Sequence, residues 1–353
     1  TLKKNDPKSL ELDDYFLKEI TNSNPSTTAK VDIDINRIQL TGDNIEIIDN
    51  RYELEIYITS KKSSKTSKKI NINSDEIHEY ILNYKDEITA LDRIKVKILD
   101  TTGDTVSRLI DLRSIMYCEL EKDGQIFIYQ NGAWGYLNGK FLDLLNKKMQ
   151  EVDEVVKFDK RFDLTYKNPT HEKEEKGEGA YIEALCENKD FTKLHRRNVN
   201  VSGTSVEVAD VYCKKNDELV AIKRGTDTTL AIYSFEQSLL SIQAISNPES
   251  FKVKEKLTEY NTKLDDTKLK HENITALTIN KIIKSKNSSV LWLVNDKVKY
   301  IYEGVEKKDF KASSFKSILL KLKILNWYSF CKEYGYEPTL YFAIDRPEIL
   351  SSK

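Results

Sequence analysis

The second half of the chain alternates between short apolar runs and longer amphipathic segments, and this order restricts the fold more than any other feature. The apolar runs of strand length are residues 206–211, 219–222, 290–294 and 339–344. Strands that are separated by helices pack as a sheet covered by those helices. Residues 30–60 instead alternate apolar and polar residues, the period of a half-buried strand. The sequence therefore predicts an α/β (α+β) fold, with a β-rich domain at residues 1–155 and a mixed sheet flanked by helices at residues 156–353.

A boundary between the two domains is predicted near residue 155. Residues 160–178 lose hydrophobic periodicity and gather charge, Pro and Gly, as linkers do. In the first domain, Asn131-Gly132 between two short apolar runs predicts a β-hairpin, and Ser74 is placed to cap a helix. The basic run at residues 60–69 is either a solvated hairpin tip or a loop that contacts phosphate.

The net charge and the lengths of the apolar runs argue against bulk electrostatic nucleic-acid binders, membrane proteins and exported proteins. The chain has 353 residues, with 56 Lys and Arg against 57 Asp and Glu, so its formal net charge is −1. A near-neutral chain is not a bulk electrostatic binder of nucleic acid, although a local basic groove stays open. No apolar run reaches the roughly 18 residues that span a bilayer, and residues 1–20 lack the apolar centre of an export signal. We therefore expect a cytoplasmic protein with no membrane partner.

Several familiar classes of site lack their sequence signatures. The four cysteines and four histidines are too scattered for a zinc ribbon or zinc finger, and the apolar neighbours of the cysteines favour reduced core residues. The sequence contains no GxGxxG, GxxxxGK[ST], GxSxG or HExxH motif. Dinucleotide, NTP, serine-hydrolase and zinc-protease interpretations therefore lose their main support.

The segment VEVADVYCKKNDELVAIKRG at residues 206–225 carries the clearest chemical content. Two adjacent strands joined by a short turn end with Asp210 on the first and Lys223 on the second. Metal-dependent cleavage of a phosphodiester needs carboxylates that grip a hard divalent cation and an ammonium group that orients water or offsets phosphate charge. We therefore predict Mg²⁺, or Mn²⁺, held by Asp210 together with Glu183 or Glu178 from the preceding helix.

The remaining members of the predicted site follow from the same chemistry. Lys223 positions water and phosphate, Glu207 is a further acid on the first strand, and Gln237 on the following helix helps to hold the water or the backbone. A simpler interpretation is that Asp210 and Lys223 form a partly buried ion pair across the two strands, with no cation between them.

The order helix-Glu, strand-Asp, strand-Lys, helix-Gln resembles the restriction-endonuclease-like PD-(D/E)xK nuclease superfamily. The resemblance implies that the C-terminal mixed sheet is a nuclease-like core. In that motif an acid or Gln lies two residues before the lysine, and this chain has Ala221 there. Glu207 or Glu183 would have to supply the missing ligand.

Four segments, taken in order, look like the landmarks of the bacterial "sporadically distributed" protein family, a domain of unknown function found among mobile and phage-defence genes. They are FIYQNGAWGYLNGKF, GEGAYIEAL, VEVADVYCKKNDELVAIKRGTDTTLAIYSFEQSLLS and SSFKSILLKLKILNWYSFCKEYGYEPTLYFAI. Lys223, Arg224 and Gly225 match the family pattern, whereas Ala221 replaces its His. The resemblance implies a role in defence against phage or mobile DNA, with a second defence protein or a second copy of the chain as further partners.

A compact basic cluster precedes the strand segment just described. Lys193, Arg196 and Arg197, with His195 among them, suit phosphate contact because guanidinium groups form paired hydrogen bonds with phosphate oxygens. Arg224 is assigned to the same contact. A solvated entrance to a strand explains the cluster equally well. We predict nucleic acid as the partner, with DNA favoured over RNA.

The leading hypothesis is a nucleic-acid-binding protein with a restriction-endonuclease-like core, which acts as a metal-dependent nuclease, or is a relative of one, in anti-phage defence. The first alternative is a catalytically inactive relative that binds DNA as a sensor or adaptor. Ala221 favours it, because the motif has an acid or Gln at that position. The second alternative is a structural or interaction protein of a mobile element, which needs neither metal nor nucleic acid.

Overall fold

The chain folds into two compact units, Thr1–Asp143 (unit 1) and Leu144–Lys353 (unit 2). The structure is a computed structural model. It describes residues 2, 6–21, 39–40, 53–59, 66–71, 74–99, 103–105, 107–130, 132–168, 177–201, 204–225, 228–246, 250–262 and 273–349.

Unit 1 combines short helices with two four-stranded sheets. Its helices are α1 (Pro7–Ile20), α2 (Ser74–Asn83) and α3 (Leu112–Ile115), with 3₁₀ turns at Lys85–Glu87 and Leu91–Arg93. Its strands are β1 (Gln39–Leu40), β2 (Glu53–Ile58), β3 (Thr66–Asn71), β4 (Ile94–Leu99), β5 (Ile110–Asp111), β6 (Met116–Lys122), β7 (Gln125–Gln130) and β8 (Ala133–Tyr136). The strand orders are β1-β6-β7-β8 and β3-β2-β4-β5.

Hydrophobic alternation explains the elements of unit 1. Leu54, Ile56 and Ile58 on β2 are buried, and the strand pairs with β3 and β4 in antiparallel register. The predicted helix at Ser74 and the predicted β-hairpin of β7 and β8 are confirmed. Trp134 is buried on that hairpin, so it is a core residue of the unit. The predicted strand segments at residues 31–35 and 45–48 and the basic run at residues 60–65 lie outside the described residues.

Unit 2 carries more strands and longer helices. Its helices, counting α4 across the division, are α4 (Gly139–Asp153), α5 (Glu178–Cys186), α6 (Thr228–Ser246), α7 (Ser250–Thr262), α8 (Ala276–Lys284), α9 (Lys299–Lys307) and α10 (Ile318–Glu333), with 3₁₀ turns at Lys160–Phe162 and Ala312–Ser314. Its strands are β9 (Val156–Lys157), β10 (Thr165–Asn168), β11 (Phe191–Lys193), β12 (Asn198–Val201), β13 (Thr204–Glu207), β14 (Val211–Cys213), β15 (Glu218–Arg224), β16 (Asn287–Val294), β17 (Glu337–Ile344) and β18 (Arg346–Ile349).

A six-stranded mixed sheet forms the centre of unit 2, in the order β11-β14-β15-β16-β17-β9. Strand β14 is antiparallel to β11 and β15, whereas β15, β16 and β17 are parallel. The residues of β16 after its first are buried, as expected for a parallel strand that is covered on both faces. On one face Val220 and Leu291 pack with α5, and on the other Leu219 packs with residues of α7 and α8. The predicted mixed sheet flanked by helices is therefore confirmed.

Helix α4 lies at the division between the units. The sequence predicts the boundary near residue 155, whereas the compact units divide between residues 143 and 144. Asp153 accepts hydrogen bonds from the amide of Ser313 at 2.9 Å and from its hydroxyl at 2.6 Å, and Asn146 accepts one from Lys321 at 3.0 Å. These bonds attach the larger part of α4 to unit 2.

The cysteines and the hydrophobicity of the helices bear on two predictions made for the whole chain. The four cysteines, all within the described residues, form no disulfide, and Cys118, Cys213 and Cys331 are buried. In the part of the chain that the structure covers, no helix is both long and apolar enough to cross a bilayer.

Candidate metal and nucleic-acid site

The candidate site of unit 2 is built from α5, β14, β15 and α6. Glu178 is the first residue of α5, and Asp210 directly precedes β14. Lys223 is the sixth residue of β15, the antiparallel neighbour of β14, and Gln237 lies on α6, which follows β15. The fold thus places the predicted acid at the start of one strand and the predicted lysine on the adjacent strand, with the predicted helices before and after them.

Backbone contacts hold Asp210 on both sides. Its amide donates to the carbonyl of Val220 at 3.1 Å, and its carbonyl accepts from the amide of Leu194 at 2.8 Å. Its side-chain Oδ2 accepts a hydrogen bond from the amide of Ile222 at 2.6 Å, and the residue is 1% exposed. The carboxylate is therefore fixed in the interior and oriented by the neighbouring strand.

Three side chains meet around the other oxygen of Asp210. His195 Nδ1 lies 2.8 Å from Asp210 Oδ1 and 3.3 Å from Glu207 Oε1. One potential ligand atom from each residue lies within 4.8 Å of the others. Gln237 Nε2 donates to Glu207 Oε2 at 3.2 Å, and the amide of Arg196 donates to Glu207 Oε1. An imidazole and two carboxylates thus form one cluster, and we call it the His195 cluster.

A second acid lies beside the lysine. Glu178 Oε2 is 3.3 Å from Lys223 Nζ and accepts a hydrogen bond from the amide of Arg224 at 3.2 Å. The Arg224 side chain pairs with Asp345, Nε to Oδ2 at 2.6 Å, and Asp345 also accepts from the hydroxyl of Tyr166 at 2.8 Å. Glu178 and Lys223 are therefore held together at the end of β15.

Burial and charge together shift the pKa values of these groups. Desolvation raises the pKa of Asp210, and the negative charge of Glu207 raises it further, against the hydrogen bond from His195. Desolvation also raises the pKa of Glu178, and the charge of Asp210 adds to it, while Lys223 opposes the shift. For His195 burial acts to lower the pKa, but the hydrogen bonds to Asp210 and Glu207 outweigh it and raise the pKa to about 10. An imidazolium that neutralises crowded carboxylates is the form expected near neutral pH.

Several residues of the predicted site lie elsewhere or have other partners. Glu183 points outward from α5 and forms a partly exposed ion pair with Lys193, so Glu178 is the helix acid that faces the lysine. Arg197 is only 6% exposed, whereas Arg196 is exposed and has a positive φ of 61°. Of the two arginines, only Arg196 has the exposure that a phosphate contact requires.

The model of one protein family matches residues 1–297 and is described as a family of unknown function, DUF6119. The chain belongs to DUF6119. The match covers unit 1 and, in unit 2, every residue of the His195 cluster together with Glu178 and Lys223. Neither a curated protein nor a solved structure matches this DUF6119 chain. The predicted resemblance to a domain of unknown function is confirmed at that level.

The sequence placed His195 in a basic cluster suited to phosphate contact and did not indicate its contacts with Asp210 and Glu207. A signal was present in the hairpin of β12 and β13, whose register pairs Asn198 with Glu207. Continuing that register three residues outward brings His195 opposite Asp210.

The donor set of the His195 cluster fits a divalent cation. Carboxylate oxygens and a neutral imidazole nitrogen are common protein ligands of such ions. Two ligands bound to one ion at about 2.0–2.2 Å lie no more than about 4.4 Å apart. The separations of 2.8 Å and 3.3 Å from His195 Nδ1 fall within that limit. The cluster could therefore hold a cation after the imidazole loses its proton.

Proposed function

We propose that unit 2 binds nucleic acid and hydrolyses its phosphodiester bonds with a divalent cation, Mg²⁺ or Mn²⁺. The observation that carries the proposal is the convergence of Asp210, Glu207 and His195 in one cluster beside a β15 strand that bears Lys223. Acids that share a buried site raise one another's pKa, and such sites are functional candidates when they have a specific charged partner.

The order of elements supports the likeness to the PD-(D/E)xK superfamily. Helix α5 precedes the antiparallel strands β11, β14 and β15, and the helices α6, α7 and α8 then precede β16, which is parallel to β15. Along this order come Glu178 on α5, Asp210 directly before β14, Lys223 on β15 and Gln237 on α6. This order of residue types is the one that the resemblance implies, and it supports the proposal.

Each side chain of the site has its own role in the proposed hydrolysis. A bound divalent cation supplies Lewis-acid activation of water and of the phosphodiester. Asp210 and Glu207 offer the oxygen ligands, and Gln237 holds Glu207 in place through its hydrogen bond at 3.2 Å. Lys223, fixed by Glu178 at 3.3 Å, orients the water and offsets phosphate charge.

Ala221 leaves the usual acid position of the motif without a ligand. It lies on β15 two residues before Lys223 and is 3% exposed. Glu207 is the acid that substitutes for it in this proposal, because its Oε1 lies 3.3 Å from the same His195 nitrogen that contacts Asp210. Glu183, the other candidate in the sequence, faces Lys193 instead.

Arg196 is the contact that we propose for the nucleic-acid backbone. Its amide bonds to Glu207, so its exposed side chain begins beside the His195 cluster. DNA is the substrate we favour, in the cytoplasm and in defence against phage or mobile DNA, as the family resemblance implies. A second defence protein and a second copy of the chain are the further partners in this proposal.

A cleavage assay tests the proposal. Labelled double-stranded DNA, single-stranded DNA and RNA are incubated with the full chain in Mg²⁺, Mn²⁺ or EDTA. We expect cleavage of DNA with cation, none in EDTA, and none by Asp210→Ala or Lys223→Met. Cleavage that persists in Asp210→Ala would contradict the assignment of the site.

A second candidate function is nucleic-acid binding without hydrolysis. Ala221 and the ion pair of His195 with two acids favour it, since one motif ligand is missing and the acids already have a partner. In that case the chain binds DNA in EDTA as well as in Mg²⁺, and no cation yields a cleavage product.

A further inference from the structure

We infer that His195 is itself a ligand of the cation site, so that the site selects first-row transition-metal ions over Mg²⁺. The inference rests on the cation site of the proposed function but not on hydrolysis. It assigns an imidazole nitrogen to a site that the sequence predicted to be made of oxygens only.

The geometry of the cluster directs the ring nitrogen at the acids. His195 Nδ1 is 2.8 Å from Asp210 Oδ1 and 3.3 Å from Glu207 Oε1, and potential ligand atoms of the three residues lie within 4.8 Å of one another. The side chain of His195 is 13% exposed and that of Asp210 is 2% exposed. Few alternative ligands can therefore come from solvent on the Asp210 side of the cluster.

Backbone contacts hold the donors in this arrangement. The amide of Leu194 bonds to the carbonyl of Asp210 at 2.8 Å, and the carbonyl of Leu194 accepts from the amide of Arg197 at 2.9 Å. These bonds fix the turn that carries His195 against the segment that carries Asp210. Glu207 is held by Gln237 and by the amide of Arg196. The fold thus fixes the segments that carry His195 and Asp210, and two hydrogen bonds fix the side chain of Glu207.

Ligand chemistry then decides which ion is preferred. Mg²⁺ favours oxygen ligands and keeps much of its water, whereas imidazole suits transition-metal ions. For a site with nitrogen and oxygen ligands the affinity rises from Mn²⁺ through Co²⁺ to Ni²⁺. One imidazole among two carboxylates should therefore produce a steep rise along that series and weak binding of Mg²⁺.

The test is a calorimetric titration of EDTA-treated full chain with Mg²⁺, Mn²⁺, Co²⁺ and Ni²⁺, in the absence of nucleic acid. We expect Co²⁺ to bind the parent at least tenfold more tightly than Mg²⁺. His195→Gln should lose at least about tenfold in Co²⁺ affinity, because losing a nitrogen ligand costs at least as much as losing a hydrogen-bond partner of a ligand. Its Mg²⁺ affinity should change much less. The matched control is His78→Gln, the same substitution on α2 of unit 1, which should keep the affinities of the parent.

A second measurement on the parent protein needs no variant to fold. Co²⁺ bound through an imidazole should shift one set of histidine ring resonances in the NMR spectrum in proportion to occupancy. Unshifted histidine resonances at saturating Co²⁺, equal Co²⁺ affinity in His195→Gln, or binding of no cation at all would each overturn the inference. The last result would leave the cluster as a structural ion pair.

The two proposals fail in different ways. Metal binding that depends on His195, without cleavage of any nucleic acid, supports the inference and removes the proposed hydrolysis. Cation-dependent cleavage that is unchanged in His195→Gln supports hydrolysis and overturns the inference.

Discussion

The carboxylate of Asp210 is bonded to the backbone of Ile222, whose amide donates to Oδ2 at 2.6 Å. This bond attaches an acid from the start of one strand to the neighbouring strand, one residue before Lys223. The acid and the lysine of the candidate site are therefore kept close by the backbone itself, and their positions do not depend on an ion pair between them.

Asp210→Ala should be less stable than Asp210→Asn. Alanine leaves the buried amide of Ile222 without its side-chain acceptor, which costs about 1–3 kcal/mol in comparable cases. Asparagine keeps an oxygen that can accept the bond. Urea unfolding of both variants in EDTA measures the difference. Equal losses of stability would show that the bond to Ile222 contributes little.

Glu178→Gln should remove a pH-dependent loss of stability. The folded-state pKa of Glu178 is raised, chiefly by burial. The free energy that protonated Glu178 contributes to folding is therefore fully present below the unfolded pKa, and it is lost as pH rises through the folded pKa. Relative to the parent, Glu178→Gln should therefore gain stability as pH rises above about 4.3, the unfolded pKa of a glutamate. Urea midpoints at pH values above this pKa measure the gain.

Glu183→Gln is the matched control for that substitution, since both acids lie on α5. Glu183 forms a partly exposed pair with Lys193, and pairs of this kind contribute little. We expect this variant to follow the stability profile of the parent and to keep its activity, whereas Glu178→Gln loses activity. If the two variants behaved alike, the choice of Glu178 as the site acid would be wrong.

His195 should produce a second pH effect at higher pH. Folding raises the pKa of His195 from 6.5 to about 10. The stability that charged His195 contributes is therefore complete below the unfolded pKa of 6.5, and it is lost as pH rises through about 10. The parent should lose more stability than His195→Gln between about pH 7 and pH 10. Chemical unfolding at these two values measures the difference, and parallel losses in both proteins would contradict the ion pair.

Arg196 and Arg197 should differ when they are changed singly. Arg196→Asn keeps a residue that tolerates the positive φ and should reduce the slope of log K against log salt by about 0.7–0.9 in DNA binding, with little effect on stability. Arg197→Ala should instead lower stability, because this side chain is buried. Fluorescence anisotropy over a salt series measures the slope. An unchanged slope in Arg196→Asn would exclude it as a phosphate contact.

Local patterns in the sequence predicted most of the elements around the site. The apolar run that became β15 and the helical periodicity of α6 are properties of a few neighbouring residues, which is why they could be read directly. The pairing of β14 with β15 followed from their short turn. For this reason Lys223 could be assigned to a strand and Gln237 to a helix, and Asp210 lies directly before a strand.

Contacts between distant segments were harder to predict. Arg224 pairs with Asp345, and no local pattern indicates that β15 and the end of β17 meet there. The roles of Glu178 and Glu183 could not be separated either, because the choice depends on which face of α5 packs against the sheet. His195 was missed because its partners lie across the hairpin of β12 and β13, and finding them requires extending the register of that hairpin.

The location of a bound cation tests the central claim most directly. A crystal of the full chain soaked in Mn²⁺ and measured near the manganese absorption edge gives anomalous density at each bound ion. We predict one strong peak within about 2.0–2.3 Å of a carboxylate oxygen of Asp210, with Glu207 also bound to the ion. Peaks confined to surface carboxylates, with His195 still bonded to Asp210, would contradict the cation site and the hydrolysis proposed for it.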